Sequence, residues 1–161
     1  MNSQADPDIP AKSPLGAELD PTDCRTLADV MAVRRLADGE VLIEEEHVGD
    51  ALCLIVGGAL AATRNAAGGG WVMLQMLRRG DIAGEMGFLD GEKHSATLRA
   101  TGETQIYSLQ RHALESLVES DPMLVYRVMR AIVRTVRVIL TRMNLEYVEL
   151  TNYITKQHSH Y

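Results

Sequence analysis

The chain has 161 residues, of which 46% are hydrophobic, so it can build one domain around a real core. Its formal net charge of −6 argues against general binding to nucleic acid. No apolar run is long enough to span a bilayer, and the opening MNSQADPDIP lacks the basic and apolar regions of a secretory signal. Two cysteines, Cys24 and Cys53, do not make a disulfide framework or a metal site. We therefore expect a cytoplasmic protein with no membrane segment.

The N-terminal region is predicted to have two parts. Residues 1–20 are rich in Pro, Asp and Ser without periodicity, which is typical of a flexible tail. Asp20-Pro21-Thr22-Asp23 then resembles the beginning of a helix, with proline early and acids in the first turn. This helix is expected to end near Met31.

The middle of the chain alternates short strand-like runs with glycine-rich turns. The runs are residues 33–36, 41–44, 52–56, 59–63, 71–77, 95–100 and 105–109. Such spacing is typical of a sandwich or a barrel. We predict a mainly β fold with flanking α-helices, a jelly roll (double-stranded β-helix) of about eight strands, over residues 21–121. Gly68-Gly69-Gly70 lacks the spacing and the lysine of a phosphate loop, and we interpret it as a hairpin tip.

From Arg111 the hydrophobic period becomes helical. Residues 112–119 are predicted as a short helix, and a long helix is predicted over residues 122–150, capped by Ser120 or Asp121. A tail is expected at residues 151–161.

The long helix carries an apolar stripe that is interrupted at Glu146. Its members recur at alternating spacings of four and three residues: Val125, Met129, Ile132, Val136, Ile139, Met143 and Leu150. This heptad pattern suits a parallel pair of helices in a homodimer, and packing on the chain's own barrel is the alternative. Because Val128, Val133 and Leu140 are also apolar, we expect one face on the barrel and one on a partner.

The same helix carries a basic stripe formed by Arg127, Arg130, Arg134, Arg137 and Arg142, with no acid between Asp121 and Glu146. A solvated face is the favoured interpretation, since arginine stems also cover apolar surface. The alternative is contact with an acidic protein partner, which we prefer to DNA.

Residues 84–100, GEMGFLDGEKHSATLRA, form the candidate ligand site. A short helix that begins after Gly84 leaves backbone N–H groups free to receive an anionic oxygen. Glycine also lets the backbone approach a ligand closely. Glu85 supplies a carboxylate for hydroxyl groups. The candidate pocket residues are Gly84, Glu85, Met86, His94, Ser95 and Ala96.

These residues resemble the phosphate-binding cassette of the cyclic-nucleotide-binding domain family, which includes bacterial catabolite activators and regulatory subunits of protein kinase A. The resemblance runs from about Leu27 to Met143 and includes the lead-in Arg79-Gly80-Asp81. It implies that Glu85 contacts a ribose hydroxyl, that a cyclic nucleotide (cAMP, cGMP or a cyclic dinucleotide) is the ligand, and that the long helix forms a dimer. No other cofactor is predicted.

The chain departs from the family pattern at the two groups that hold the ligand. His94 stands where the family has its phosphate-binding arginine, and Lys93 or Arg99 could replace that charge only from other positions. Ile139 and Leu140 occupy the positions of possible base-side contacts, and neither can hydrogen-bond a base edge. Three interpretations are open: a vacant pocket, a weaker or pH-dependent pocket, and an altered ligand.

The output of the chain is expected to pass through a partner. After Met143 the remaining residues are too few for a helix-turn-helix domain, so direct DNA binding is not expected. No histidines have the spacing of a zinc helix and no nucleophile has a base placed by a motif, so neither catalysis nor a metal site is predicted. Two hypotheses result: a sensor that signals through a homodimer to an unidentified protein, or a dimeric interaction module that binds no nucleotide.

Overall fold

The computed structural model describes residues 5–158, which form one sheet system flanked by helices. The helices are α1 (Asp8–Ala11), α2 (Pro21–Asp29), α3 (Glu85–Asp90), α4 (Arg111–Glu115) and α5 (Pro122–His158), with a 3-10 helix at Pro14–Ala17. The strands are β1 (Ala32–Leu36), β2 (Val41–Ile43), β3 (Ala51–Asn65), β4 (Trp71–Arg78), β5 (Ile82–Ala83) and β6 (Thr97–Gln110).

The sheet is antiparallel and is organised around its two longest strands. The strand order is β1-β6-β3-β4, β2 pairs with β6, and β5 pairs with β3. The central pair runs from Ala51 opposite Gln110 to Thr63 opposite Thr97. This arrangement confirms the predicted mainly β fold with a long C-terminal helix.

The count of about eight strands is not confirmed, because two predicted turns lie inside continuous strands. Runs 52–56 and 59–63 both belong to β3, and residues from runs 95–100 and 105–109 both belong to β6. The pairing shifts register around Gly57, so the chain bends there without leaving the sheet. Gly58 has φ +76°, and a Cβ there would lie 2.4 Å from the carbonyl oxygen of Glu103. Glycine is therefore needed for the bend, and it does not end the strand.

Alternating side chains on β3 supply two apolar cores. Leu52 and Leu54 face the helices, in a cluster that includes Leu124 and Ile132 of α5. Cys53 and Ile55 face the inside of the barrel, in a cluster with Leu36, Leu60, Leu77 and Ile106. Each fully buried leucine or isoleucine stabilises the fold by about 1.5–3 kcal/mol.

The prediction of a flexible tail is wrong for residues 5–20. They form α1 and the 3-10 helix, and Ala5, Pro10 and Leu15 are buried. The serine and a proline mark the beginning of the 3-10 helix. The Ser13 hydroxyl accepts a hydrogen bond from the Leu15 N–H at 3.2 Å. The few apolar residues of the segment thus pack on the helical layer. Residues 1–4 lie outside the described part.

Helix α2 begins as predicted at Asp20. The Asp20 carboxylate accepts hydrogen bonds from the backbone N–H groups of Thr22 and Asp23, both at 2.8 Å. The Asp23 carboxylate accepts one from the Asp20 N–H at 3.2 Å, completing a capping box.

The C-terminal helices differ from the prediction at their ends. The short helix spans Arg111–Glu115 instead of 112–119, since the chain turns at residues 116–120. Helix α5 reaches His158 instead of ending near residue 150, so part of the predicted tail is helical. At 1.5 Å per residue, α5 is about 55 Å long. Among residues 5–158, no helix is both long enough and apolar enough to cross a membrane.

The basic stripe is partly exposed, in agreement with a solvated face, and three of its arginines also pair with acids of the same chain. Arg127 donates to Asp23 at 2.6 Å. Arg130 and Arg134 both pair with Glu18, whose side chain is only 12% exposed. The acidic partner of these three arginines is therefore the N-terminal segment of the same chain.

Candidate functional site

The local shape of the cassette follows from its glycines. Gly84 has φ +78° and precedes α3, and Gly91 has φ +72° and ends it. A Cβ on Gly84 would lie 2.5 Å from the carbonyl oxygen of Ala51. Only glycine satisfies both demands, so the turn that begins α3 requires Gly84.

Glu85 is half-buried at the first position of α3. Burial raises the pKa of its carboxyl, while a hydrogen bond from its own backbone N–H acts in the opposite direction. Among the described residues, its carboxylate has no ion pair. Its neighbour Met86 is 53% exposed. The site therefore keeps a carboxylate suited to a hydroxyl group and holds it at an energetic cost.

The His94 ring is fixed between two glycines. A Cβ on Gly49 would lie 2.3 Å from its Nε2, and a Cβ on Gly87 would lie 2.6 Å from its Cε1. Burial lowers the pKa of His94, and the nearby Asp90 carboxylate raises it less. The imidazole is consequently neutral at pH 7 and supplies no fixed cation to the cassette. Within residues 5–158 neither ring nitrogen has a hydrogen-bond partner.

The remaining cassette residues lie in the loop before β6. Ser95 is exposed and Ala96 is half-buried. The backbone of His94 is tied to the preceding loop, because its N–H donates to the carbonyl of His47 at 2.9 Å and its carbonyl accepts from Glu46 at 2.9 Å. The structure thus brings His94 against α3 and leaves Ser95 on the surface.

The two cations considered as replacements for the family arginine are engaged elsewhere. Arg99 donates to the carbonyl of Gly39 at 2.8 Å. Lys93 lies 4.0 Å from a carboxylate oxygen of Glu46, and both side chains are exposed. Neither supplies its charge to the Glu85 side of the cassette.

A cleft adjoins the cassette and shares only His94 with the predicted pocket. It has a volume of about 490 Å³. Its lining includes Arg34, Ile43, His47, Cys53, His94 and Ser108. Glu85 and Ser95 do not line it. Sequence reasoning missed Arg34: the sequence puts it on the same face of β1 as the apolar Leu36, but nothing in the sequence indicates that this face borders a cleft.

The predicted dimer stripe on α5 does not coincide with the surface that the fold leaves open. Ile132 is fully buried in the chain's own core, so its assignment to the interface is wrong. Val125 and Val136 pack partly on the same core, and Ile139 is half-buried. Met129 and Met143 are exposed.

A neighbouring stripe on α5 is continuous. We define the α5 seam as Tyr126, Met129, Val133, Val136, Leu140, Met143, Tyr147, Leu150 and Ile154. Consecutive members are separated alternately by three and four residues, and no polar residue interrupts the series. All are exposed except the half-buried Val136. Leu140 belongs to this seam and Ile139 does not. A base-side role for these two residues stays a prediction.

Comparisons with known proteins show that this chain is similar to cyclic nucleotide-binding proteins. A sequence model of the cyclic nucleotide-binding domain matches residues 33–121. The cAMP-dependent protein kinase regulatory subunit of Blastocladiella emersonii is 31% identical over 93 residues, 58% of this chain and 23% of that protein. The cyclic AMP receptor protein of Thermus thermophilus is 26% identical over 125 residues, 78% of this chain and 58% of that protein.

A solved cyclic nucleotide-binding domain has a similar fold. The crystal structure of a cyclic nucleotide-binding domain from Methylobacillus flagellatus KT aligns with a TM-score of 0.79 at 21% identity, covering 95% of this chain and 88% of that one. The chain spans about a quarter of the kinase regulatory subunit and more than half of the receptor protein. Because the matched region covers over half of the sequence and contains the whole cassette, the chain belongs to the cyclic nucleotide-binding domain family.

Proposed function

We propose that this chain is a regulatory module that binds a cyclic nucleotide weakly, or an altered ligand, and signals through a homodimer to a partner protein in the cytoplasm. The observation that carries the proposal is the retained cassette turn: left-handed Gly84 followed by a half-buried Glu85 whose carboxylate has no ion pair among residues 5–158. A costly buried carboxylate is typical of a ligand site. The relatives named for cAMP support this ligand class.

Weak binding follows from His94. An arginine binds a phosphate through a fixed cationic fork, whereas a neutral imidazole donates one hydrogen bond. Loss of one partner of a buried charge pair costs about 2–5 kcal/mol, and each 1.4 kcal/mol is about tenfold in affinity. A ligand held at about micromolar concentration by an arginine would then bind at roughly a tenth of a millimolar or weaker.

Dimer formation is supported by the α5 seam. An a/d pattern sustained over four heptads is the pattern of a helix pair. The residues of the seam are exposed except Val136, which packs partly on the chain's own core, and Glu146 does not interrupt the seam. The long helix also packs on the core through Leu124, Val128 and Ile132, so it joins the domain to the proposed interface.

The test is a thermal-shift series on the full chain with cAMP, cGMP and cyclic di-GMP, at pH 6 and pH 8. Nucleotide at 100 times its dissociation constant stabilises by about 2.7 kcal/mol, which raises Tm by several degrees. We expect a shift at millimolar nucleotide that is lost in Glu85→Ala. The alternative hypothesis, a dimeric module without a nucleotide, predicts no shift at either pH and an intact dimer.

A further inference from the structure

We propose that Arg34 on β1 supplies the cation that binds the ligand's anionic group, in the cleft that it shares with His94. The inference rests on the proposed function and names the residue that takes over from the missing cassette arginine. The ligand class is a small monoanion that carries hydroxyl or amino groups, of which a cyclic nucleotide is the case to test.

The cleft has the size and the lining of a small-molecule site. Its volume of about 490 Å³ lies within the range of about 300–1,000 Å³ that is usual for ligand pockets. Val41, Leu42, Ile43 and Ala51 give it an apolar wall, and Ser108 contributes a polar group. Such sites combine apolar surface with a few fixed polar groups.

Arg34 occupies an interior-facing position of the barrel. Side chains two residues apart on a strand share a face, so Arg34 lies on the face of the buried Leu36. Its charge acts on Cys53 at the base of the cleft: burial raises the pKa of this thiol to about 11, while a hydrogen bond from Ser108 and the charge of Arg34 lower it. An arginine at the mouth of an apolar barrel is well placed for an anion.

The guanidinium is held only weakly by its protein partner, Glu40. Its ion pair with Glu40 is long, with 4.0 Å between the nitrogen and the oxygen, and the two side chains are 48% and 44% exposed. Pairs of this kind contribute little, so exchange of Glu40 for a ligand anion is inexpensive. Arg34 can therefore offer its bidentate fork, which Lys93 and Arg99 cannot offer to this cleft.

The His94 ring provides a second donor in the same cleft. It packs between Gly49 and Gly87, and its nitrogens have no hydrogen-bond partner in the described part of the chain. A neutral imidazole can donate one N–H to an anionic oxygen. Fixed donors cost no ordering when the ligand arrives.

The other charges in the lining favour a monoanion over a polyanion. Glu44 and Asp50 bring two carboxylates to the exposed side of the cleft, and His47 lies 3.5 Å from Glu44. These carboxylates repel a ligand with several negative charges but accept hydrogen bonds from hydroxyl or amino groups. A cyclic phosphodiester with one charge, a sugar hydroxyl and a base meets these demands.

The test is isothermal titration of cAMP and cGMP into the full-length wild type and four variants. Arg34→Gln removes the proposed cation, and Arg34→Lys keeps its charge without the fork. Arg35→Gln is the matched control, because it removes the same charge from the other face of β1. Glu85→Ala reports on the cassette. Thermal melts establish that each variant is folded.

We expect Arg34→Gln to weaken binding at least tenfold, Arg34→Lys to weaken it less, and Arg35→Gln to change it by less than twofold. Binding that survives in Arg34→Gln but is lost in Glu85→Ala overturns the role of Arg34 and leaves the proposed function standing. Equal losses in Arg34→Gln and Arg35→Gln also overturn it, since they indicate only a general charge effect. A wild type that binds neither nucleotide overturns the proposed function and this inference together.

Discussion

Glu85 shows how one residue can serve a site at the expense of stability. Its carboxyl is half-buried without an ion pair in the described residues, and burial raises its pKa. At neutral pH the folded state therefore bears the cost of an ionised carboxylate that the unfolded chain exposes to water. As the pH falls, the folded state takes up its proton before the unfolded state does, and the cost disappears.

We expect Glu85→Gln to stabilise the unliganded protein at pH 7 by about 1 kcal/mol, the lower end of the cost of an unpaired buried polar group. The gain should vanish near pH 4, where the carboxyl is protonated in the folded protein. Urea unfolding at the two pH values measures this difference. Equal stability of wild type and variant at pH 7 would show that the carboxylate carries no such cost.

At the same scale, the sequence predicted which residues depart from the family but not where their side chains lie. The substitution of His94 for arginine is visible in the sequence. Its position between Gly49 and Gly87 is not, because Gly49 is distant in the chain and the contact depends on how the loop meets α3. Arg34 was missed for the same reason: only the closed barrel shows that its face of β1 opens on a cleft.

At the scale of elements, the sequence predicted correctly those features that depend on neighbouring residues in the chain. The beginning of α2 at Asp20 and that of α3 after Gly84 follow from the residues beside them, and both helices begin where expected. Residues 5–20 were predicted poorly because their order depends on α5, more than a hundred residues away. The composition of this segment shows that apolar residues are scarce. It does not show the ion pairs between Glu18 and the arginines of α5, which also hold the segment in place.

The contribution of these ion pairs can be measured at Glu18, whose carboxylate meets both Arg130 and Arg134. We expect Glu18→Gln to lower the free energy of unfolding by about 1 kcal/mol, since the two arginines are half-exposed. The loss should shrink at high salt, which screens the pair. Glu119→Gln removes the same charge from an exposed turn and should be close to neutral. Chemical unfolding at low and high salt tests both variants.

At the scale of the whole molecule, the phase of α5 decides which of its faces is available. Leu124, Val128, Ala131 and Ile132 are buried against the sheet and set the rotation of the helix. This rotation places the predicted stripe partly inside the core and turns the α5 seam outward. The two stripes share Met129, Val136, Met143 and Leu150, and the sequence distinguishes them only at Glu146, which interrupts the predicted stripe and not the seam. Which of the other apolar residues pack on the sheet depends on the rotation of α5, which only the fold supplies.

The dimer proposal is tested most directly at Leu140, which lies in the seam and is 54% exposed. We expect Leu140→Arg to convert the dimer to a monomer, because a paired helix would bury the two charges against each other. Val138→Arg is the matched control: Val138 is 69% exposed on the same helix but lies outside the seam. Light scattering coupled to size exclusion distinguishes the outcomes. A dimer that tolerates Leu140→Arg and is lost in Val138→Arg would place the interface on another face of α5. A wild-type monomer at high concentration would remove dimerisation from the proposed signalling mechanism, and the ligand would then have to act through α5 on a partner of a different kind.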